Sequence, residues 1–73
     1  MDKKSLIITT LAKKHNLHDV RITRTGTLYE ITVLDTIGHK QRDKIVTTIR
    51  ELIGKDNVNH INCYNVRYEG VTC

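Results

Sequence analysis

The sequence predicts a small α+β two-layer sandwich, with two helices packed on one face of a three-stranded sheet in the order α-β-β-α-β. Three observations carry this reading. Apolar residues recur at helical spacing in two separate segments, the period changes to two on either side of a glycine turn between them, and a third alternating segment follows Gly54. Residues 1–73 read as one compact unit. There is no proline, no internal repeat and no Pro/Gly/Ser-rich linker.

The first helix is announced by Asp2 or Ser5 as cap, with Leu6, Ile7, Ile8, Leu11 and Ala12 as its apolar stripe. Lys13, Lys14 and His15 suit the negative end of its dipole, so His15 reads as a helix-end cation. Asn16 is a good left-handed terminator, and Leu17 supplies the apolar contact that accompanies such a stop. Val20 and Ile22 then alternate with Arg21 and Thr23. Thr25-Gly26-Thr27 makes a turn, and Tyr29, Ile31 and Val33 alternate with Leu28, Glu30, Thr32 and Leu34. These strands form an antiparallel hairpin. Asp35 or Thr36 is expected to cap the second helix, where Ile45, Ile49, Leu52 and Ile53 give the strongest helical signal in the chain, and Gly54 closes it. The last segment, Asn57 to Tyr68, is a strand whose phase breaks: Ile61 and Cys63 share one parity, Tyr64, Val66 and Tyr68 the other. A bulge near Asn65, or a division into two short strands, reconciles the two.

Composition narrows the function. The 73 residues are 38% hydrophobic and 27% charged, with mean hydropathy −0.38, which suits a globular domain rather than a disordered tail. No uncharged run approaches the roughly 20 residues of a membrane span, and the N-terminus lacks the pattern of a signal peptide, so a cytoplasmic protein with no membrane partner is expected. In that reducing compartment Cys63 and Cys73 are thiols, Cys63 as a small core residue and Cys73 at the chain end. Twelve Lys and Arg against eight Asp and Glu give +4, which favours an acidic partner.

The most informative stretch is Thr36-Ile37-Gly38-His39-Lys40-Gln41-Arg42. Acids are preferred in the first turn of a helix, where unpaired N–H groups point outward. Here His39, Lys40 and Arg42 stand there instead, with Lys44 beyond, and Gly38 would let an anion approach the backbone. A polar sheet face bearing Arg21, Thr23, Thr25, Glu30 and Thr32 is the second candidate surface, and Arg24 adds a further cation on the hairpin. The aromatic signature of an RNA-recognition motif is absent, and Gly38-His39-Lys40-Gln41 lacks the second glycine of a KH loop.

The His18-Asp19-Val20-Arg21 stretch, Gly26 and the order of elements look like the cytoplasmic domain of cation-diffusion transporters. That resemblance implies metal binding through histidines in the strands. This sequence has no membrane part and no histidine in its second strand, and its connection into the second helix is abbreviated. By spacing, His15, His18 and Asp19 could converge only on an irregular turn, whereas His60 and Cys63 point to opposite faces of a regular strand. A closed zinc site wants four ligands, so no metal and no cofactor are expected. Ser5, the only serine, has no base placed by local spacing, and the carboxylates are scattered singly, so catalysis is not expected either.

Two functions from different classes follow. The first is a non-catalytic binding or regulatory domain that engages nucleic acid or a nucleoprotein complex through Gly38, His39, Lys40, Arg42 and Lys44, with Arg21 and Arg24 on the hairpin. The second is a protein-interaction module or inhibitor of the kind encoded by phages and plasmids, using a sheet edge near Tyr64, Val66 and Tyr68. A homodimer is compatible with both.

Overall fold

The structure, a computed structural model, describes residues 2–68. Helix α1 spans Lys3–His15, strand β1 Val20–Thr25, strand β2 Leu28–Gly38, helix α2 His39–Ile53 and strand β3 Val58–Arg67, with a 3-10 turn at Lys55–Asn57 before the last strand. The sheet order is β1-β2-β3: β2 is central, antiparallel to β1 and parallel to β3, with α2 as the crossover between the parallel strands. This is the α-β-β-α-β sandwich expected from the sequence.

The two ends of α1 are fixed differently, the first by a side-chain cap and the second by a left-handed backbone stop. The carboxylate of Asp2 accepts the Ser5 N–H at 2.8 Å. At the other end Asn16 adopts φ 57°, ψ 39°, and the Leu17 N–H reaches back to the Leu11 carbonyl at 3.3 Å, burying Leu17 as it does so. The apolar stripe is narrower than the sequence suggested. Ile7 and Leu11, one turn apart, are wholly buried, while Leu6 and Ile8 flank them and stay partly open to solvent.

The hairpin pairs Val20 with Val33, Ile22 with Ile31 and Thr25 with Leu28, so its turn is the two residues Gly26-Thr27. Gly26 supplies the positive φ, 63°, that such a turn needs at its first central position.

The boundary between β2 and α2 corrects the sequence reading. Asp35 and Thr36 do not cap α2, because β2 continues through them to Gly38. Two forces hold the chain extended there: Ile37 is driven into the core, and the Asp35 carboxylate is already occupied by the backbone N–H groups of His18 and Asp19. The N-cap is Gly38, in extended conformation and with no side chain to offer.

The bulge expected near Asn65 is present as a register shift. Val33 pairs with Cys63 and Thr36 with Asn65, so Leu34 and Asp35 stand opposite the single residue Tyr64. Cys63 and Val66, three residues apart, can therefore both pack on the core, in register with Val33 and Ile37. The Asn65 side chain donates to the Leu34 carbonyl at 2.7 Å and satisfies an acceptor at the irregularity.

The core joins Ile7 and Leu11 of α1, Leu17, the inward face of β2 (Tyr29, Ile31, Val33, Ile37) and Ile45, Ile49 and Ile53 of α2. Leu52, counted in the helical stripe, is only partly buried at its rim. Among the described residues no helix is long and apolar enough to cross a membrane.

Candidate nucleic-acid interface

Helix α2 begins without any of the usual N-terminal devices. Gly38 makes no side-chain cap and the first turn holds no acid. His39, Lys40 and Arg42 follow, as the sequence indicated. Gly38 itself is buried as the last strand residue, in register with Arg67 of β3. Helical geometry then sends the α2 cations in different directions. Lys40 is exposed. Gln41 turns toward α1, where its amide donates to the His15 carbonyl at 3.0 Å. Arg42 approaches Asp43 at 3.5 Å, a solvent-exposed pair worth little on its own. It also lies close enough to Cys63 to act on its thiol, which burial pushes up and the Arg42 charge partly pulls back.

Lys44 joins a second group. The His15 imidazole sits 2.9 Å from the Thr48 hydroxyl, which itself donates to the Lys44 carbonyl at 3.0 Å. With its single proton committed, that hydroxyl is an acceptor for His15, so Nε2 carries the hydrogen. Burial lowers the His15 pKa, and the charges of Lys14 and Lys44 lower it further. His15 is thus a neutral clamp between the helices, not the helix-end cation its position suggested. The same observation brings Lys14 of α1 and Lys44 of α2 to one end of the molecule. A shallow groove of about 330 Å³ lies between them, with Asp43 and Glu51 also on its walls.

The hairpin cations do not join this group. Arg21 is in register with Thr32 and Arg24 with Tyr29, so they occupy opposite faces of β1. Tyr29 lies nine residues before Gly38 along β2, roughly 30 Å at the ordinary strand rise. The Arg24 side chain is spent locally, donating to the Gly26 carbonyl at 2.7 Å. The polar face is otherwise as expected: Thr23 is in register with Glu30, and Asn62 donates to the Glu30 carboxylate at 3.4 Å.

Of the residues assigned to a protein interface, Val66 packs against the core, whereas Tyr64 and Tyr68 are 67% and 62% exposed. Tyr68 lies against α2, its ring stacked on that of His39 with centroids 5.6 Å apart and planes 18° from parallel. The sequence reading missed this pair. It also missed Arg50, Lys55 and His60, which surround a cleft of about 560 Å³ between the end of α2 and the start of β3. The signal was present in the helical spacing: His39, Arg42, Val46 and Arg50 fall at i, i+3, i+7 and i+11, one stripe of α2.

The placement of His60 and Cys63 is visible within residues 2–68. His60 is exposed and in register with Glu30, while Cys63 packs inward, so they do point apart. Among the described residues no three His, Cys, Asp or Glu side chains gather in a way that could hold an ion. Cys73 lies outside the described residues, and with it any pairing to Cys63.

No family model matches the chain, and no curated protein matches it. Among solved structures it is similar to the cytosolic domain of a cation diffusion facilitator family protein, with 24% identity over 97% of this chain and 100% of that one and a TM-score of 0.37.

Proposed function

We propose that this domain is a non-catalytic binding module for nucleic acid or a nucleoprotein complex, contacting phosphates through Lys40, Arg42 and Lys44 of α2 with Lys14 of α1 beside Lys44. One observation carries the reading: the His15 ring lies under the influence of both Lys14 and Lys44, so cations from two helices gather at the end where α2 starts with no acid in its first turn. Asp43 and Glu51 share the groove with Lys14 and Lys44 and offset part of their mutual repulsion, while exposed Lys40 remains at the acid-free first turn of α2 for an anionic partner. Of the hairpin cations, Arg24 is set aside because it lies at the far end of β2 and is spent on the Gly26 carbonyl, and Arg21 because it lies on the opposite face of β1. Phosphate contacts of this kind position a partner without reading its sequence, so little discrimination among sequences is expected.

Fluorescence anisotropy with generic labelled oligonucleotides tests this. Affinity should fall with salt with a log–log slope of roughly −3 to −5, corresponding to several phosphate contacts. The pair Lys40→Glu and Arg42→Glu should weaken binding strongly while moving the thermal midpoint little, since Lys40 is exposed and Arg42 makes only a half-exposed pair with Asp43. Unchanged binding in that variant would remove the surface from consideration.

A second reading, a protein-interaction module or homodimer built on the sheet edge, is favoured by the 67% exposure of Tyr64 on β3, whose outer edge has no strand partner among the described residues. Sedimentation of the chain beside a Tyr64→Asp variant tests it: a dimer that the substitution dissociates supports this reading, and a monomer in both cases refutes the homodimer.

A further inference from the structure

Helix α2 runs along β3, and the seam between them is lined differently from the surface near α1. At one end the His39 and Tyr68 rings are stacked, with Tyr68 more than half exposed. Arg67 adjoins Tyr68 in the chain and is in register with Gly38, next to His39. In the middle Arg42 acts on Cys63 of β3. At the far end Arg50, Lys55 and His60 border the cleft, accompanied by Asp56. Cations thus recur along the ten residues of β3, and an aromatic ring with an open face stands at the head of the row.

We infer that the partner is bound single-stranded: the His39–Tyr68 stack seats one unpaired nucleobase on the open face of Tyr68, and the neighbouring strand backbone runs along the α2–β3 seam past Arg42 toward Arg50. The argument is chemical. In a duplex both faces of each internal base are covered by its neighbours, so an aromatic ring has nothing to stack on. An unpaired base has a free π-face, and every base type has one, which gives affinity without sequence preference. A ring already held by a second ring loses less freedom on binding than a free tyrosine does. Ten residues of strand span roughly 30 Å, a track that suits the short end of the roughly 4–16 nucleotides occupied by single-strand-binding domains. This inference rests on the nucleic-acid reading above and adds to it the form of the partner.

The test uses the full chain, with labelled oligo-dT and oligo-U and a duplex of equal length, in one buffer. The single strands should bind more tightly than the duplex. Tyr68→Ala should weaken single-strand binding roughly five- to a hundred-and-fiftyfold, the range for loss of one base–aromatic stack, and leave duplex binding and the salt slope unchanged. Tyr68→Phe, which keeps the ring, should restore the affinity. A second readout needs no variant: oligo-dT should shift the Tyr68 ring protons of the native chain upfield by the ring current of the stacked base. Equal affinity for duplex and single strand, or a Tyr68→Ala variant that binds oligo-dT like the native chain, overturns the inference and leaves the phosphate-contact reading standing. Failure to bind any of the three at low salt removes both.

Discussion

Asp35 accepts the backbone N–H of Asp19 at 2.8 Å, and its other carboxylate oxygen accepts that of His18 at 2.9 Å. The adjoining Leu34 N–H returns to the Asp19 carbonyl at 2.9 Å. A residue in the middle of the sheet therefore closes the connection between α1 and β1, and the bulge opposite Tyr64 gives it room to do so. Burial by itself raises the Asp35 pKa, but backbone N–H groups of His18, Asp19 and Asp35 itself, with the nearby His18 ring, bring it below the ordinary 3.8.

The first prediction follows from that geometry. Asp35→Asn keeps one acceptor but turns an NH₂ toward a backbone N–H, and should cost about 1–2 kcal/mol at neutral pH. Because the folded pKa is depressed, the carboxylate's contribution is complete above about 3.8 and is lost as pH falls through the folded value. Thermal melts from pH 7 downward should show the native chain and the variant converging in acid. A difference that persists undiminished well below that window would show that the effect is steric rather than ionic.

His15 gives a second pH dependence at higher pH. Burial first, and then Lys14 and Lys44, place its folded pKa below the ordinary 6.5. Between the two values the unfolded chain binds more protons, so stability should rise with pH up to about 6.5 and fall as pH drops through the folded value. An NMR titration should find the His15 midpoint below 6.5. Thr48→Val, which removes the hydroxyl acceptor at nearly constant volume, should cost about 1 kcal/mol at pH 7 through the orphaned Nε2–H. A His15 midpoint at or above 6.5 would mean that burial and the two lysines do not hold the ring below its ordinary value, and the predicted rise of stability with pH would be absent.

What the sequence disclosed and what it withheld divide along physical lines. Signals that act within one turn or one pleat were legible: the Asp2 cap, the Asn16–Leu17 stop, the Gly26 turn, the Gly54 terminator, and even the odd step from Cys63 to Val66 that requires a bulge. The end of β2 was not legible. Asp35-Thr36 has the local form of a helix cap, and only a tertiary partner sixteen residues away, the Asp19 amide, claims the carboxylate first. The candidate surface divided in the same way. The absence of acids from the first turn of α2 could be read directly, but Arg24 is removed from it by a register that no local pattern encodes. His15 changed from cation to clamp because Thr48 lies 33 residues away. The His39–Tyr68 stack joins the first residue of a helix to the residue just after β3, a separation that periodicity does not reach.

Cys63 offers a third prediction. The thiol is half-buried beside the core, and burial raises its pKa above the ordinary 9.0 despite the Arg42 charge. In a Cys73→Ser chain, iodoacetamide should alkylate Cys63 more slowly than free cysteine at pH 8, because less thiolate is present and less of it is reached. Arg42→Glu, which replaces the lowering charge by a raising one, should slow the reaction further. A faster reaction would show that Arg42 is not near the sulfur in solution.

Two of the three positive-φ positions among the described residues, Asn16 and Gly26, allow the last prediction to separate strain from packing. Asn16 sits at φ 57° and Gly26 at φ 63°, two positive-φ positions held by different residue types. A Cβ added at Gly26 would meet no atom within 4 Å, so Gly26→Ala measures the left-handed penalty alone, about 1 kcal/mol. Asn16→Gly should move stability little, since glycine gains freedom in the unfolded chain while relieving the same strain. Asn16→Ala should cost about as much as Gly26→Ala, because the asparagine's advantage there is tolerance of the left-handed state. Urea denaturation of the three variants decides the matter. Equal losses for the two alanine variants would assign both effects to backbone strain. A clearly larger loss at Asn16 would mean that Leu17, which follows it into the core, is displaced when the helix stop is weakened.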